Sequence, residues 1–149
     1  MQNYSFDPDY LRDKYRQERD KRLREDGNDQ YQEVSGDFSY FVDDPYINEA
    51  IERQALTDSY EIVIIGGGFG GVLAASRLKE AGFSDFKIIE KGGNFGGTWY
   101  WNRYPGASCD IESYIYFPLL EETKFIPRKK YTNAPETLEY FDVISEKFG

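Results

Sequence analysis

The stretch that decides the fold is EIVIIGGGFGGVLAASRLKEAGFSDFKIIE, residues 61–90. It opens with a short β-branched run, Glu61–Ile65, of the kind found in strands buried on both faces. After a run of glycines, Val72–Ala81 has the apolar spacing of a helix that Gly82 would end. Phe86–Glu90 predicts a second strand. Strand, turn, helix and strand within about 30 residues predict a βαβ unit with parallel strands.

The glycine turn between the first strand and the helix matches the pattern G-x-G-x-x-G. Gly66 permits the tight turn, Gly68 lets the backbone approach a pyrophosphate, and Gly71 lets the helix pack closely on the strand. Phe69 and Gly70 complete the turn, and the N–H groups of the first helical turn face the phosphates. The pattern predicts an α/β, Rossmann-like domain that binds a dinucleotide.

Glu90 ends the second strand, 19 residues beyond Gly71. A carboxylate at this position accepts hydrogen bonds from the ribose hydroxyls of an adenosine and repels a 2′-phosphate. We therefore expect FAD or NAD here rather than NADP. The alternative is an ordinary glycine turn with a surface Glu. The strand, the helix, the spacing and the acid together favour the dinucleotide site.

The charge of the 149-residue chain, −9 in total, is unevenly distributed. Residues 1–60 hold 15 Asp and Glu against 8 Lys and Arg, so we expect an acidic N-terminal extension over residues 1–59 and a packed domain over residues 60–149. An acidic chain argues against nucleic-acid binding. No apolar run approaches the roughly 18 residues of a membrane span, and the first residues lack the features of a secretory signal.

The chain has one cysteine, Cys109, and no histidine. A single cysteine forms no internal disulfide, which is typical of a reducing compartment, so we expect a cytoplasmic protein. The absence of histidine excludes every mechanism in which a histidine of this chain is the base or a ligand, and we expect no metal site.

Three further segments have weaker patterns. Residues 11–26 alternate in charge and predict an exposed helix after Asp7, either a solvated tail or an arm lying on another domain or subunit. Residues 30–46 are typical of a loop, and Ile47–Leu56 predicts a short helix. Glu136–Phe148 has apolar residues at spacings of three and four and predicts an amphipathic helix.

A second glycine-rich segment, residues 96–110, reads GGTWYWNRYPGASCD and is expected to form a loop. Its glycines permit close approach of a flat ligand or a phosphate. Trp99, Tyr100 and Trp101 supply broad apolar faces, and Asp110 is a lone carboxylate. The composition alone supports a ligand site and simple core filling by the aromatic residues about equally.

Residues 60–149 resemble the FAD-binding domain of the type I Baeyer–Villiger monooxygenases, which are class B flavoprotein monooxygenases. The resemblance rests on GGGFGG, on the Glu-ended second strand, on GGTWYWNRYPGASCDIES at residues 96–113 with Tyr114 and Tyr116 downstream, and on the helix start at Asn133–Glu136. Residues 1–59 lie outside this match, in the place of the N-terminal extension that some members carry.

The resemblance implies that NADPH, O2 and a tightly bound FAD convert ketones to esters or lactones through a C4a-peroxyflavin. It places Gly97, Thr98, Trp99, Tyr100 and Tyr116 at the FAD, and Ala107, Ser108 and Cys109 near the nicotinamide cofactor. It makes Asp110 the catalytic residue of this segment, beside the flavin and hydrogen-bonded to an arginine from another domain.

The chain also departs from this family. It lacks the second glycine motif and the histidine-containing fingerprint F-x-G-x-x-x-H-x-x-x-W-P. We therefore expect the N-terminal part of a monooxygenase whose remainder is its partner, with an incomplete sheet and an uncovered apolar face. The alternatives are a stand-alone, non-catalytic dinucleotide-binding module and a related flavin monooxygenase that oxidises nitrogen or sulfur.

Overall fold

The computed structural model describes residues 6–49 and 52–149. They belong to two compact units, one ending at Asp43 and the other running from Asp44 to Gly149. The first unit contains helix α1, Pro8–Asp20, and two 3-10 helices, Gly27–Gln30 and Gly36–Val42. The second contains strands β1, Ile62–Ile65, and β2, Phe86–Ile89, and helices α2, Phe69–Glu80, α3, Thr98–Trp101, α4, Ser113–Tyr116, α5, Leu120–Thr123, and α6, Ala134–Phe148.

Helix α1 is largely exposed, as its charge pattern predicts. Asp7 caps the first turn by accepting hydrogen bonds from the N–H groups of Asp9 and Tyr10 at 2.9 and 3.3 Å. The helix ends at Asp20, short of the predicted end at residue 26. No residue of α1 is buried. Packing therefore contributes little to the stability of α1. Exposed pairs such as Arg12–Asp9 stabilise a helix only weakly.

The residues between α1 and β1 differ in part from their prediction. The first 3-10 helix ends at Gln30, the first residue of the stretch expected to be a loop, and the second lies within that stretch. The short helix predicted at Ile47–Leu56 is wrong for residues 47–49 and 52–56, which form no helix; residues 50 and 51 lie outside the described residues. Asp44 and Ile47 instead contact Gly93, which fixes this part of the chain in an irregular path.

The predicted βαβ unit is confirmed. Strands β1 and β2 pair in parallel, with Ile62 opposite Phe86, and α2 connects them. Helix α2 begins at Phe69, three residues earlier than predicted, because the glycine turn ends at Gly68, whose extended conformation forms the N-cap. The helix therefore follows the glycine turn with no intervening residue.

Only one face of the sheet is packed. Ile64 lies against α2, whereas Val63, Ile65 and Ile89 on the other face are exposed, Ile65 by 87%. Burial of β1 on both faces, which its β-branched residues favour, is wrong for this chain, because the described segments beside that face leave Val63 and Ile65 exposed. The uncovered apolar face that an incomplete sheet predicts is present.

The core lies on the helical side of the sheet. The ring of Phe69 stacks on Phe141 with 4.3 Å between centroids, and that of Phe117 stacks on Tyr140 at 5.0 Å. Helix α6 is amphipathic, as predicted, and Asn133 caps its first turn. Packing of α2 against α6 thus fixes the start of α2, where the glycine turn ends.

None of the helices in the described part of the chain is long and apolar enough to cross a membrane. Even α6 has only 15 residues, against the ~20 that a spanning helix needs.

Candidate functional site

The turn between β1 and α2 has a geometry that only glycine permits. Gly66 has a φ of +99°, in the left-handed region that residues with side chains rarely adopt. A Cβ on Gly71 would lie 1.9 Å from the carbonyl oxygen of Gly66, so α2 contacts the turn with no room for a methyl group. The first N–H groups of α2 have no intrahelical partner and carry the positive end of the helix dipole. The turn therefore fits an anionic group such as a diphosphate.

The other predicted residues of the turn have different surroundings. Gly68 lies against the second glycine-rich segment, because a Cβ on Gly97 would be 2.8 Å from the Cα of Gly68. The ring of Phe69 packs in the core beside Phe141, so its backbone is the part that can face a ligand. A Cβ on Gly70 would meet no atom within 4 Å. Packing therefore does not require glycine at residue 70.

Glu90 follows β2, and both of its carboxylate oxygens accept hydrogen bonds from the backbone. Oε2 accepts from the N–H of Gly67 at 2.5 Å, and Oε1 accepts from the N–H of Gly92 at 2.7 Å. The side chain thus ties the glycine turn to the loop after β2. Because an ionised carboxylate has about four acceptor positions, Glu90 keeps acceptor capacity for ribose hydroxyls.

A pocket of about 680 Å³ opens beside Glu90. Its walls come from the segment before β1, from the exposed face of the sheet and from the loop Gly92–Phe95. The ring of Phe95 closes one side of the turn, since a Cβ on Gly67 would lie 2.3 Å from it. The sequence analysis missed Phe95, which stands in no motif. A carboxylate at an open pocket next to the turn fits the adenosine half of a dinucleotide.

A second pocket, of about 450 Å³, gathers most of the residues that the resemblance places at the flavin and the nicotinamide. Its walls include Thr98, Trp99, Ala107, Ser108, Cys109, Asp110 and Tyr116. The indole N–H of Trp99 donates to the hydroxyl of Tyr116 at 3.2 Å, which fixes the two rings edge to face. Asn102, Tyr104 and Ile111 also line the pocket, and the sequence analysis did not single them out as site residues.

One wall of this second pocket is fixed to the start of α6. The N–H of Cys109 donates to the carbonyl of Thr132 at 2.8 Å, and the N–H of Ala134 donates to that of Ala107 at 2.8 Å. Ala107 and Cys109 are consequently buried, whereas Ser108 between them is exposed. The next residue, Asp110, is also exposed at the pocket, where it can meet a group from outside this chain.

The thiol of Cys109 is held in its protonated form. Burial raises the pKa of Cys109, a hydrogen bond with Thr137 opposes that rise, and the carboxylate of Asp110 adds to it. A protonated thiol is a poor nucleophile. The geometry therefore favours a role for Cys109 in packing or in backbone contacts.

Tyr100 lines neither of these two pockets with its side chain. It is 3% exposed, and its hydroxyl donates to Oδ2 of Asp44 at 2.5 Å and accepts from the N–H of Gly93 at 3.0 Å. Burial, and then the hydrogen bond to Asp44, raise the pKa of Tyr100. Tyr100 thus supports the loop from within. The sequence analysis missed Asp44 because no pattern links it to a segment about 50 residues away.

The chain is similar to proteins of known family. The model of the NAD(P)-binding Rossmann-like domain matches residues 64–126. A Baeyer–Villiger monooxygenase of Streptomyces coelicolor is 45% identical over 138 residues, which cover 93% of this chain and 23% of that protein. The resemblance to Baeyer–Villiger monooxygenases is confirmed. A further Baeyer–Villiger monooxygenase, from Stachybotrys chlorohalonatus, is 44% identical over 149 residues, or 99% of this chain and 24% of the relative.

Solved structures of two monooxygenases contain a part with the fold of this chain. A polycyclic ketone monooxygenase from Thermothelomyces thermophila matches with a TM-score of 0.71 at 40% identity, over 93% of this chain and 24% of that one. A steroid monooxygenase bound to NADP matches with a TM-score of 0.55 at 37% identity, over 61% of this chain and 18% of that one. The chain spans about a quarter of the length of the curated relatives it matches.

The similarity to Baeyer–Villiger monooxygenases extends well beyond residues 60–149. The alignments cover 93–99% of the chain, so most of residues 1–59 is matched as well. These two relatives therefore match most of the segment before residue 60, whereas the steroid monooxygenase matches over only 61% of the chain. The division into an extension over residues 1–59 and a domain over residues 60–149 stays a prediction.

Proposed function

We propose that this chain forms the FAD-binding part of an NADPH- and O2-dependent monooxygenase that converts ketones to esters or lactones. The observation that carries the proposal is the second pocket, into which Trp99, Asp110 and Tyr116 converge. Gly97, the residue before α3, contacts Gly68 of the diphosphate-binding turn. One ligand with a diphosphate and a flat ring could therefore use both features.

The residues proposed to hold FAD act in three ways. The backbone of the Gly66–Gly71 turn and the positive end of α2 bind the diphosphate. Glu90 accepts hydrogen bonds from the adenosine ribose. Thr98, Trp99 and Tyr116 border the isoalloxazine ring, and the two aromatic side chains exclude water from it. Tyr100 acts through the position of the loop, because its side chain points away from the second pocket.

When bound, FAD supplies the transfer of electrons from NADPH to O2, and the ketone receives one oxygen atom while the other leaves as water. The residues of this chain position the bound flavin and protect it from water. Ala107, Ser108 and Cys109 form the wall proposed to face the nicotinamide cofactor. Asp110 is proposed to accept a hydrogen bond from an arginine of the remaining part of the monooxygenase, which keeps that cation beside the flavin.

The charge of Glu90 supports a division of the two cofactors between sites. A carboxylate hydrogen-bonded to the turn disfavours a 2′-phosphate at this site, so we assign FAD to it and NADPH to a site shared with the remainder of the enzyme. We also propose a cytoplasmic location, on the ground of the single, buried cysteine.

A second candidate is a dinucleotide-binding module without catalysis, which the single glycine motif and the lack of histidine favour. Two measurements on the purified protein separate the candidates. Absorbance near 450 nm with FAD released on denaturation is expected for both. Consumption of NADPH coupled to formation of an ester or lactone from a cyclic ketone is expected only for the monooxygenase. An N- or S-oxide formed without any ester would favour the related flavin enzymes.

A further inference from the structure

The structure ties a short segment far from the glycine motifs to the loop between the two pockets. This anchor segment, Asp44–Ile47, precedes the residues expected to form the FAD-binding domain. The loop Gly92–Arg103 includes α3, and it leads from Glu90 at the first pocket to Thr98 and Trp99 at the second. Any group that fixes this loop therefore acts on both pockets at once.

Asp44 is the centre of these contacts. Its Oδ2 accepts hydrogen bonds from the hydroxyl of Tyr100 at 2.5 Å and from the N–H of Gly93 at 2.8 Å. Its Oδ1 accepts from the N–H of Tyr46 at 2.9 Å, which closes the anchor segment on itself. One carboxylate thus binds the loop at Gly93 and at the buried Tyr100, seven residues apart. Hydrogen bonds to an ionised acceptor are the stronger kind.

Tyr46 and Ile47, which follow Asp44 in the chain, also contact the loop. The hydroxyl of Tyr46 donates to the carbonyl of Trp101 at 3.2 Å. The guanidinium of Arg103 lies 4.0 Å from the ring centroid of Tyr46 and 4.6 Å from that of Tyr100. A Cβ on Gly93 would lie 2.3 Å from Cγ2 of Ile47, so the side chain of Ile47 packs on the backbone of Gly93 with no room for a side chain there.

We propose that Asp44 is a positioning residue of the cofactor site, which holds the loop Gly92–Arg103 in place through Tyr100 and Gly93. The proposal rests on the proposed function in that it takes this loop to be part of the FAD site. It assigns a role in positioning the cofactor site to a segment whose charge and composition alone predict a peripheral extension. Two neighbouring aromatic residues of the loop then have different roles, because Trp99 lines the second pocket and Tyr100 contacts the anchor segment.

The test replaces Asp44 by Asn in the protein with its whole N-terminal segment. Asn has the same shape but a single acceptor oxygen, so it cannot accept from Tyr46, Tyr100 and Gly93 as the carboxylate does. The matched control is Asp43→Asn, which removes the same charge from the neighbouring exposed residue. Tyr100→Phe removes the partner hydroxyl, and the double variant shows whether the two residues act through each other.

Two readouts are compared, hydrogen exchange of peptides and the dissociation constant for FAD. We expect Asp44→Asn to speed exchange of peptides from residues 92–103 about tenfold and to leave the α6 peptides unchanged. We also expect FAD binding to weaken about tenfold, with Tyr100→Phe similar and the double variant no weaker than the single ones. Asp43→Asn should resemble the wild type in both readouts.

Three outcomes would overturn the proposal. They are exchange of the 92–103 peptides equal to that of the wild type, exchange that rises equally across the whole chain, and FAD affinity that stays unchanged while the loop loosens. If Asp44→Asn fails to fold, Tyr100→Phe alone decides by the same criteria. A wild-type protein that takes up no FAD would contradict the proposed function itself, whereas a wild type that binds FAD beside an unaffected Asp44→Asn would contradict only this inference.

Discussion

Oε2 of Glu90 lies 2.5 Å from the backbone nitrogen of Gly67, so the acid that ends β2 holds the turn that follows β1. The same carboxylate accepts from the N–H of Gly92 through its other oxygen. A residue that is expected to bind the ribose therefore also shapes the glycine turn. Loss of Glu90 should affect both tasks together.

Replacing Glu90 by Ala is expected to weaken FAD binding by roughly tenfold or more, because two backbone N–H groups lose their acceptor along with the ribose. Glu90→Gln keeps one acceptor oxygen and should fall between Ala and the wild type. Fluorescence titration with FAD measures both. Glu121→Gln, at an exposed site in α5, is the control. Equal affinities for Glu90→Ala and the wild type would contradict the assignment of Glu90.

Replacing Gly71 by Ala is expected to destabilise the protein by about 2–3 kcal/mol, since the new methyl group collides with the carbonyl of Gly66. Gly70→Ala is the matched control, because the adjacent helical position has open space and Ala favours a helix by about 0.5–1 kcal/mol over Gly. Urea unfolding measures the difference. Two variants of equal stability would show that the turn is not packed as described.

Replacing Asp110 by Asn is expected to leave FAD content and stability unchanged, because the side chain is exposed at the pocket wall. Ketone turnover by the full-length protein should fall roughly 100-fold, as a misplaced catalytic group implies. Stopped-flow and steady-state rates with NADPH check this, with Asp142→Asn on the exposed side of α6 as control. Wild-type turnover by the Asp110 variant would remove Asp110 from the mechanism.

The buried thiol of Cys109 predicts a loss of stability at alkaline pH. Burial raises its pKa above the ordinary 9.0, so the folded protein binds the thiol proton more tightly than the unfolded chain does. The corresponding stability is complete below pH 9.0 and is lost as the pH rises toward the raised value. Unfolding in urea between about pH 8 and 10 should show a smaller decline for Cys109→Ala than for the wild type. Parallel declines would contradict the buried, protonated thiol.

The elements that the sequence predicted correctly are those in which one physical demand dictates residue types locally. The glycine turn requires a left-handed residue at Gly66 and no side chain at Gly71, so both positions are visible in one chain. The amphipathic helix α6 is visible for a similar reason, since one face is buried at regular intervals.

The features that the sequence missed arise from contacts between distant segments. Nothing in the composition of residues 44–47 shows that Asp44 pairs with Tyr100, because a hydrogen bond across 56 residues leaves no periodic pattern. The exposed face of β1 follows from the small number of strands and not from the residues of β1, since β-branched residues predict a strand without showing how many layers cover it. Short helices such as α4 and α5 have too few residues to produce a helical repeat.

Flavin content shows whether the glycine turn and the second pocket together hold FAD. The protein is purified, its visible spectrum is recorded, and the released cofactor is identified by chromatography after denaturation. We expect absorbance near 450 nm and about one FAD per chain, with a lower FAD content in Glu90→Ala. A colourless protein that does not take up added FAD, with the Gly66–Gly71 turn folded as described, would contradict it.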